Sequence, residues 1–192
     1  TPRALYRLLA DPAAPCRARI DWPSVRVFFG DERAVPERSP DSNFGMARNA
    51  LLAHVPVGKV LRIAGERGAA EAARRYEAKL RAHFGAVALP VFDLVVLGLG
   101  PDGHTASLFP QSAALAERQR WVVAATAGLP PWVERVTLTL PVFDAARAVV
   151  FLVAGSDKAV ALRQLVRPAT DVAPIPAARL RPAGPVLVLA DD

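Results

Sequence analysis

Residues 92–110 read FDLVVLGLGPDGHTASLFP, an apolar run that passes without a break into a glycine-rich polar turn. The apolar part, residues 92–99, has the length of a strand, and continuous apolar strands of this kind are typical of parallel sheets that are covered on both faces. The glycines allow a tight turn directly after the strand, because glycine adopts backbone conformations that other residues avoid. The stretch therefore predicts a buried strand that delivers Asp102 and His104 to one end of a sheet.

The rest of the chain alternates strand-like and helical segments around this stretch. Strands are expected from β-rich runs at 25–29, 121–125, 135–140, 149–153 and 186–189. Helical spacing of apolar residues is expected to give helices at the start of the chain, near 44–52, over 69–84 and near 159–166. This alternation predicts one α/β domain over residues 1–192, with a mostly parallel sheet and helices on both faces.

Three polar segments directly follow predicted strands, namely Gly30–Arg33, Gly98–Thr105 and Gly155–Lys158. If these strands are parallel, the segments meet at the carboxyl edge of the sheet, where open α/β folds bind ligands. Lys158 is predicted in the first turn of a helix, where the helix dipole opposes a cation. A bound anion would offset that repulsion, whereas a solvated surface lysine is the alternative.

Asp102 and His104 are two residues apart on the glycine-rich turn. Histidine is the side chain best suited to general-base catalysis near neutral pH, and a nearby carboxylate can fix its tautomer. We therefore predict a catalytic role for His104. His54 and His83 lie on predicted helices and are expected to be structural.

Other catalytic patterns fit the chain poorly. The glycines of the turn spell GxGxxG, but Pro101 and Asp102 occupy the turn and the next strand has no acid at its end, which disfavours a nucleotide-binding oxidoreductase. Without a GxSxG elbow, Ser107 is not expected to be a nucleophile. The sequence has neither HExxH nor a Cys/His cluster at ligand spacing, so no metal site is expected.

The composition narrows the class of protein further. The net charge is +6, but the arginines are scattered, so no nucleic-acid partner is expected. No apolar run approaches the ~20 residues that span a bilayer, so no membrane association is expected. The single Cys16 cannot form an internal disulfide, which agrees with a reducing, cytoplasmic setting.

Two long segments carry a family resemblance. Residues 29–43, FGDERAVPERSPDSN, and residues 92–110 resemble two signatures of 6-phosphogluconolactonases, while 134–140 and 155–158 resemble later and less distinctive segments. The resemblance implies a NagB-like, modified Rossmann α/β fold. It also implies hydrolysis of 6-phospho-D-glucono-1,5-lactone to 6-phosphogluconate in the oxidative pentose phosphate pathway, with no cofactor.

The same resemblance implies roles for the residues of the turn. His104 should take a proton from water as the water attacks the lactone carbonyl, and the imidazolium should then protonate the leaving ring oxygen. Asp102 should orient His104.

A second set of residues is implied for the phosphate. Arg33 and Lys158 should hold it, with Thr1 assisting at the start of a helix. Asp31 and Arg135 are expected to contribute, without an assigned role. The implied partner is thus a small phosphorylated sugar lactone, and the protein is expected to be a monomer or a weak homo-oligomer.

Two other functions of the same fold remain as alternatives. Glucosamine-6-phosphate deaminases share the Asp-Gly-His turn, but their signature has a glutamate five residues after the histidine, where this chain has Phe109. Phenylalanine cannot transfer protons, which disfavours a deaminase. A non-enzymatic sugar-phosphate sensor is disfavoured because such sensors often lose the catalytic histidine, which is present here as His104.

The resemblance also concerns the start of the chain. Similar sequences carry a glycine- and serine-rich loop, preceded by a strand, just before the position of Thr1. We therefore expect an upstream strand and glycine-rich turn that the 192 residues do not include.

Overall fold

The computed structural model of the chain describes residues 2–167 and 173–191. Its α-helices are Pro2–Ala10 (α1), Asn43–Ala47 (α2), Ala69–Phe84 (α3), Leu140–Asp144 (α4) and Ala159–Val166 (α5). A π-helical turn, Arg48–Leu52, continues α2. Its strands are Arg26–Phe28 (β1), Asp31–Arg33 (β2), Lys59–Leu61 (β3), Val95–Gly98 (β4), Val122–Ala125 (β5), Arg135–Leu138 (β6), Val149–Val153 (β7) and Val186–Ala190 (β8).

The described strands form three groups. β4, β7 and β8 are parallel, with Val95 opposite Val149 and Val149 opposite Val186. β1 and β3 form a parallel pair, whereas β2, β6 and β5 form an antiparallel sheet in that order. The predicted α/β architecture is confirmed, and the antiparallel sheet is the part that the sequence did not indicate.

One predicted loop is a strand instead. Asp31–Arg33 was expected to leave the sheet as part of a loop after β1, but these residues pair with β6, placing Asp31 opposite Thr137 and Arg33 opposite Arg135. The backbone hydrogen bonds to a partner about a hundred positions along the chain determine its conformation. The polar side chains of this segment are thereby held on a sheet rather than on a loop.

Strand β4 is covered on one face among the described residues. Val95 and Leu97 point into the core, but Leu94 and Val96 are 56% and 40% exposed. The expectation that both faces of this apolar run are covered is therefore not met in 2–167 and 173–191. The buried face is the one that packs with Phe151 of β7 in the core.

Helix α3 packs against β5 and β6 and anchors the strand that precedes the polar segment. The Tyr76 hydroxyl donates a hydrogen bond to the Phe29 carbonyl at 3.0 Å and accepts one from the Phe29 N–H at 2.9 Å. Tyr76 is 1% exposed, and burial raises the pKa of its hydroxyl. Because Phe29 lies between β1 and β2, this pair of hydrogen bonds fixes the chain where it enters the polar strand.

We expect Tyr76→Phe to lower the free energy of unfolding by about 1–3 kcal/mol, since it leaves a buried N–H and a buried carbonyl without their partner. Urea denaturation of the two proteins measures the difference. An unchanged free energy of unfolding would mean that water reaches Phe29 in the folded state.

Candidate active site

The turn after β4 is closed by its own hydrogen bonds. The Gly100 N–H donates to the His104 carbonyl at 2.8 Å, and the Gly103 N–H donates to the Gly100 carbonyl at 3.0 Å. Gly103 has a φ of +79°, a conformation that favours glycine. The Gly103 carbonyl accepts from the Ala177 N–H at 3.0 Å. These three backbone hydrogen bonds fix the shape of the turn.

Asp102 and His104 form a close pair on this turn, as predicted. Asp102 Oδ1 lies 2.5 Å from His104 Nδ1 and accepts the His104 backbone N–H at 3.1 Å. Their side chains are 27% and 23% exposed. Because an ionised carboxylate only accepts hydrogen bonds, the pairing assigns the imidazole hydrogen to Nδ1. The lone pair of Nε2 is then free to accept a proton from water.

Two glycines of the turn leave no room for a side chain. A Cβ atom on Gly100 would lie 2.0 Å from His104 Nδ1 and 2.8 Å from Asp102 Oδ1. A Cβ atom on Gly103 would lie 2.5 Å from Cβ of Ile175. The position of the imidazole therefore depends on a bare backbone at Gly100.

Arg33 and Arg135 lie opposite one another on β2 and β6. Arg135 is 3% exposed, and the Nε atoms of both residues are buried without a hydrogen-bond partner in the described part of the chain. Burial lowers the pKa of Arg135, and the charge of Arg33 lowers it further. Two adjacent cations whose buried Nε donors are unused are suited to an anionic ligand, because charge-assisted hydrogen bonds would satisfy both.

Backbone carbonyls and one side-chain amide oxygen accept hydrogen bonds from these guanidinium groups. Arg33 Nη1 donates to the Asp41 carbonyl at 2.9 Å and to Asn43 Oδ1 at 2.7 Å. Arg135 Nη2 donates to the Pro131 carbonyl at 2.9 Å. Since these acceptors are neutral, they orient the guanidinium groups without neutralising their charge.

Glu32 is a buried residue of the site that the sequence analysis missed. It is 2% exposed and accepts hydrogen bonds from the N–H groups of Asn43 and Phe44, each at 2.7 Å. Burial raises the pKa of Glu32, and these backbone hydrogen bonds act in the opposite direction. The carboxylate fixes the loop that supplies the acceptors for Arg33. Alternation along a strand would have pointed Glu32 inward, had 31–33 been predicted as a strand.

Asp31 links the turn that carries Asp102 and His104 to the loop that holds Arg33; these are the two halves of the site. Its Oδ2 accepts from Ser107 Oγ at 2.7 Å, and its Oδ1 accepts from Asn43 Nδ2 at 3.1 Å. Ser107 follows the turn that carries His104, whereas Asn43 contacts Arg33. Asp31 is thus positioned to hold the Asp102–His104 pair and the two arginines at a constant separation.

Lys158 lies at the same edge of the sheet, with a different partner. It ends the 3₁₀ turn Ser156–Lys158, which follows β7, the parallel neighbour of β4. Its Nζ donates to Asp157 Oδ2 at 2.6 Å, and the side chain is 19% exposed. The structure places Lys158 at the expected edge, where its charge is paired with the carboxylate of Asp157. Thr1 lies outside the described residues.

Residues 2–167 and 173–191 contain no group of three or more His, Cys, Asp or Glu side chains that could hold a metal ion. None of the helices there is long and apolar enough to cross a membrane.

Comparison with known proteins gives consistent matches. A 6-phosphogluconolactonase of Synechocystis is 41% identical over 197 residues, covering 100% of this chain and 78% of the relative. The human 6-phosphogluconolactonase is 43% identical over 156 residues, but the match spans only 60% of its length and 80% of this chain. The structure of 6-phosphogluconolactonase from Trypanosoma cruzi superposes with a TM-score of 0.87 at 34% identity, covering 99% of this chain and 78% of that one.

These likenesses show an enzyme of the lactonase class with a NagB-like α/β fold. The model of the glucosamine-6-phosphate isomerase/6-phosphogluconolactonase family matches residues 1–189. The chain belongs to that family.

We expect Gly100→Ala to abolish most of the lactone-hydrolysing activity while the protein still folds, because the added methyl group displaces the His104 ring. Gly98→Ala is the matched control, since a Cβ atom there meets nothing within 4 Å. Activity assays and thermal unfolding of both variants separate the two effects. Wild-type activity in Gly100→Ala would show that the observed position of His104 is not the one used in catalysis.

Proposed function

We propose that the chain hydrolyses 6-phospho-D-glucono-1,5-lactone to 6-phosphogluconate, the lactonase step of the oxidative pentose phosphate pathway, with His104 as general base. Relatives named 6-phosphogluconolactonase at 41% and 43% identity support the reaction. The observation that carries the mechanism is the 2.5 Å pairing of Asp102 with His104 Nδ1. That pairing leaves Nε2 available as the basic atom.

The reaction requires one proton to move twice. His104 Nε2 takes a proton from water while the water oxygen bonds to the lactone carbonyl carbon. The tetrahedral intermediate then collapses, the bond from that carbon to the ring oxygen breaks, and the imidazolium returns the proton to that oxygen. Asp102 remains ionised, keeps the Nδ1 hydrogen in place and stabilises the imidazolium. One water is consumed and His104 is regenerated.

The arginine pair is the proposed site for the phosphate. Arg33 and Arg135 offer buried, unused donors beside one another, and planar guanidinium groups suit the oxygens of a phosphate. We infer that Lys158 approaches the phosphate from the loop after β7, and that Asp31 acts by positioning the other groups. The proposed assisting role of Thr1 stays a prediction, as do the cytoplasmic setting and the monomeric or weakly associated state.

Phe109 argues against the deaminase reaction at this site. It is 4% exposed and occupies the position where deaminases carry their glutamate. A buried aromatic ring supplies no proton-transfer group there, so ring opening of an amino sugar lacks a required participant.

We expect His104→Ala to lower kcat by roughly 10²–10⁴-fold, the usual effect of losing a general base. The assay is time-resolved hydrolysis of freshly prepared 6-phosphogluconolactone, corrected for its spontaneous opening. His54→Ala is the control, because His54 is exposed and lies outside the site. Wild-type turnover in His104→Ala would exclude His104 as the base.

We expect Arg33→Ala and Lys158→Ala, made separately, to raise KM for the phosphorylated lactone about ten- to a hundred-fold, since a charge-assisted hydrogen bond contributes roughly 1.5–3 kcal/mol. The KM for unphosphorylated glucono-1,5-lactone should change little. Arg75→Ala removes an exposed arginine and serves as control. Equal losses on both substrates for either variant would rule out a phosphate contact by that residue.

A further inference from the structure

Phe109 contacts both halves of the proposed site. Its ring centroid lies 4.5 Å from that of the His104 imidazole, with the ring planes at 35°. The guanidinium carbon of Arg135 lies over the same ring, 6.0 Å from its centroid. A single buried aromatic ring therefore lies between the general base and one of the phosphate-binding arginines.

A distant segment holds this ring in place. A Cβ atom on Gly128 would lie 2.7 Å from Cδ1 and 2.9 Å from Cβ of Phe109, so the bare backbone at Gly128 packs directly on the phenylalanine. The same segment supplies the carbonyls of Leu129 and Pro131 to Arg135 Nη2, at 3.3 and 2.9 Å. Residues 128–131 thus fix the aromatic ring and the guanidinium together.

The contact also has a chemical consequence for His104. The hydrogen bond from Nδ1 to Asp102 holds one edge of the imidazole but leaves its tilt unrestrained. Contact with an aromatic ring restrains that tilt. When Nε2 takes a proton, the imidazole becomes a cation, and a cation beside an aromatic face is stabilised by the ring quadrupole.

We propose that Phe109 is a further positioning residue of this site, which holds the His104 ring at a fixed tilt and keeps the base at a constant distance from Arg135. The inference rests on the proposed function, because it takes His104 as base and Arg135 as a phosphate ligand.

The charged side chains on the elements around His104 are the same in every variant that tests this proposal. Asp102 pairs with His104 on the turn itself, while Asp31 of β2 bonds Ser107 just beyond it. Arg135 lies across the phenylalanine ring, and Arg179 belongs to the 3₁₀ turn Pro176–Arg179, whose Ala177 N–H bonds the catalytic turn. The substitutions below change none of these charges.

The first test is Phe109→Leu, which keeps an apolar side chain but removes the aromatic face. We expect the midpoint of the His104 imidazole titration, followed by NMR in the free protein, to fall by about half to one pH unit relative to wild type, the scale of a lost cation–π contact. The acid limb of the pH profile of kcat/KM should move by the same amount. A fall in kcat of roughly ten-fold or more is expected from the misplaced base.

Gly128→Ala provides an independent test, because it leaves Phe109 in the sequence but forces its ring to move. It should shift the titration and the acid limb in the same direction as Phe109→Leu, and it decides the matter if Phe109→Leu does not fold. Phe151→Leu is the matched control for a lost buried ring, since Phe151 is 1% exposed on β7. It should lower stability and leave the pH profile unchanged.

An unshifted His104 titration in the folded variants would overturn the proposal, as would an equal shift in Phe151→Leu. The NMR arm needs no substrate, so it judges the positioning role separately from the reaction. If the wild-type protein fails to hydrolyse the lactone, the proposed function is wrong, whereas the titration still reports whether Phe109 governs His104.

Discussion

Asp31, Glu32 and Arg33 form a strand of three residues that pairs antiparallel with β6, and the polar links of the site pass through it. Asp31 bonds the segment that follows the catalytic turn, Glu32 fixes the neighbouring loop from inside, and Arg33 lies beside Arg135. Because strand side chains alternate, one short element supplies groups to both of its faces. The separation between the base and the arginine pair therefore depends on the backbone pairing of β2 with β6 as well as on the side chains of Asp31 and Phe109.

In the protein without a ligand, this arrangement places two like charges side by side and buries a carboxylate, and both features are unfavourable. Two arginines lie side by side with buried, unused donors, and the pKa of Arg135 is lowered by burial and by its neighbour. Glu32 is buried within hydrogen bonds that only partly offset its loss of water. Preorganised charges of this kind cost stability before a ligand binds but need no rearrangement when an anion arrives. The oxygen acceptors around Arg33 and the carbonyls around Arg135 keep the guanidinium groups oriented in the meantime.

The sequence predicted those features that depend on local patterns. Helix α3 occupies the predicted 69–84, because its apolar residues repeat at helical spacing, and the Asp102–His104 pair follows from their separation on a glycine turn. Strand β2 was missed because its conformation depends on β6, about a hundred residues later. The contact of Phe109 with His104 was missed for a similar reason, since Gly128 packs on that ring from a remote segment. The exposed face of β4 also escaped prediction, because an apolar run does not reveal which of its sides is covered.

The alternation along β2 also limits how chain length can vary among relatives. Glu32 is buried, whereas Asp31 and Arg33 on either side of it are only partly so. One residue inserted or deleted between Gly30 and Arg33 would exchange the two faces of the strand, turning the buried carboxylate outward and an arginine inward. Both the loop support and the arginine pair would be lost in a single step. Length changes that preserve the site must therefore accumulate outside this strand and outside the loop whose Asp41 carbonyl holds Arg33.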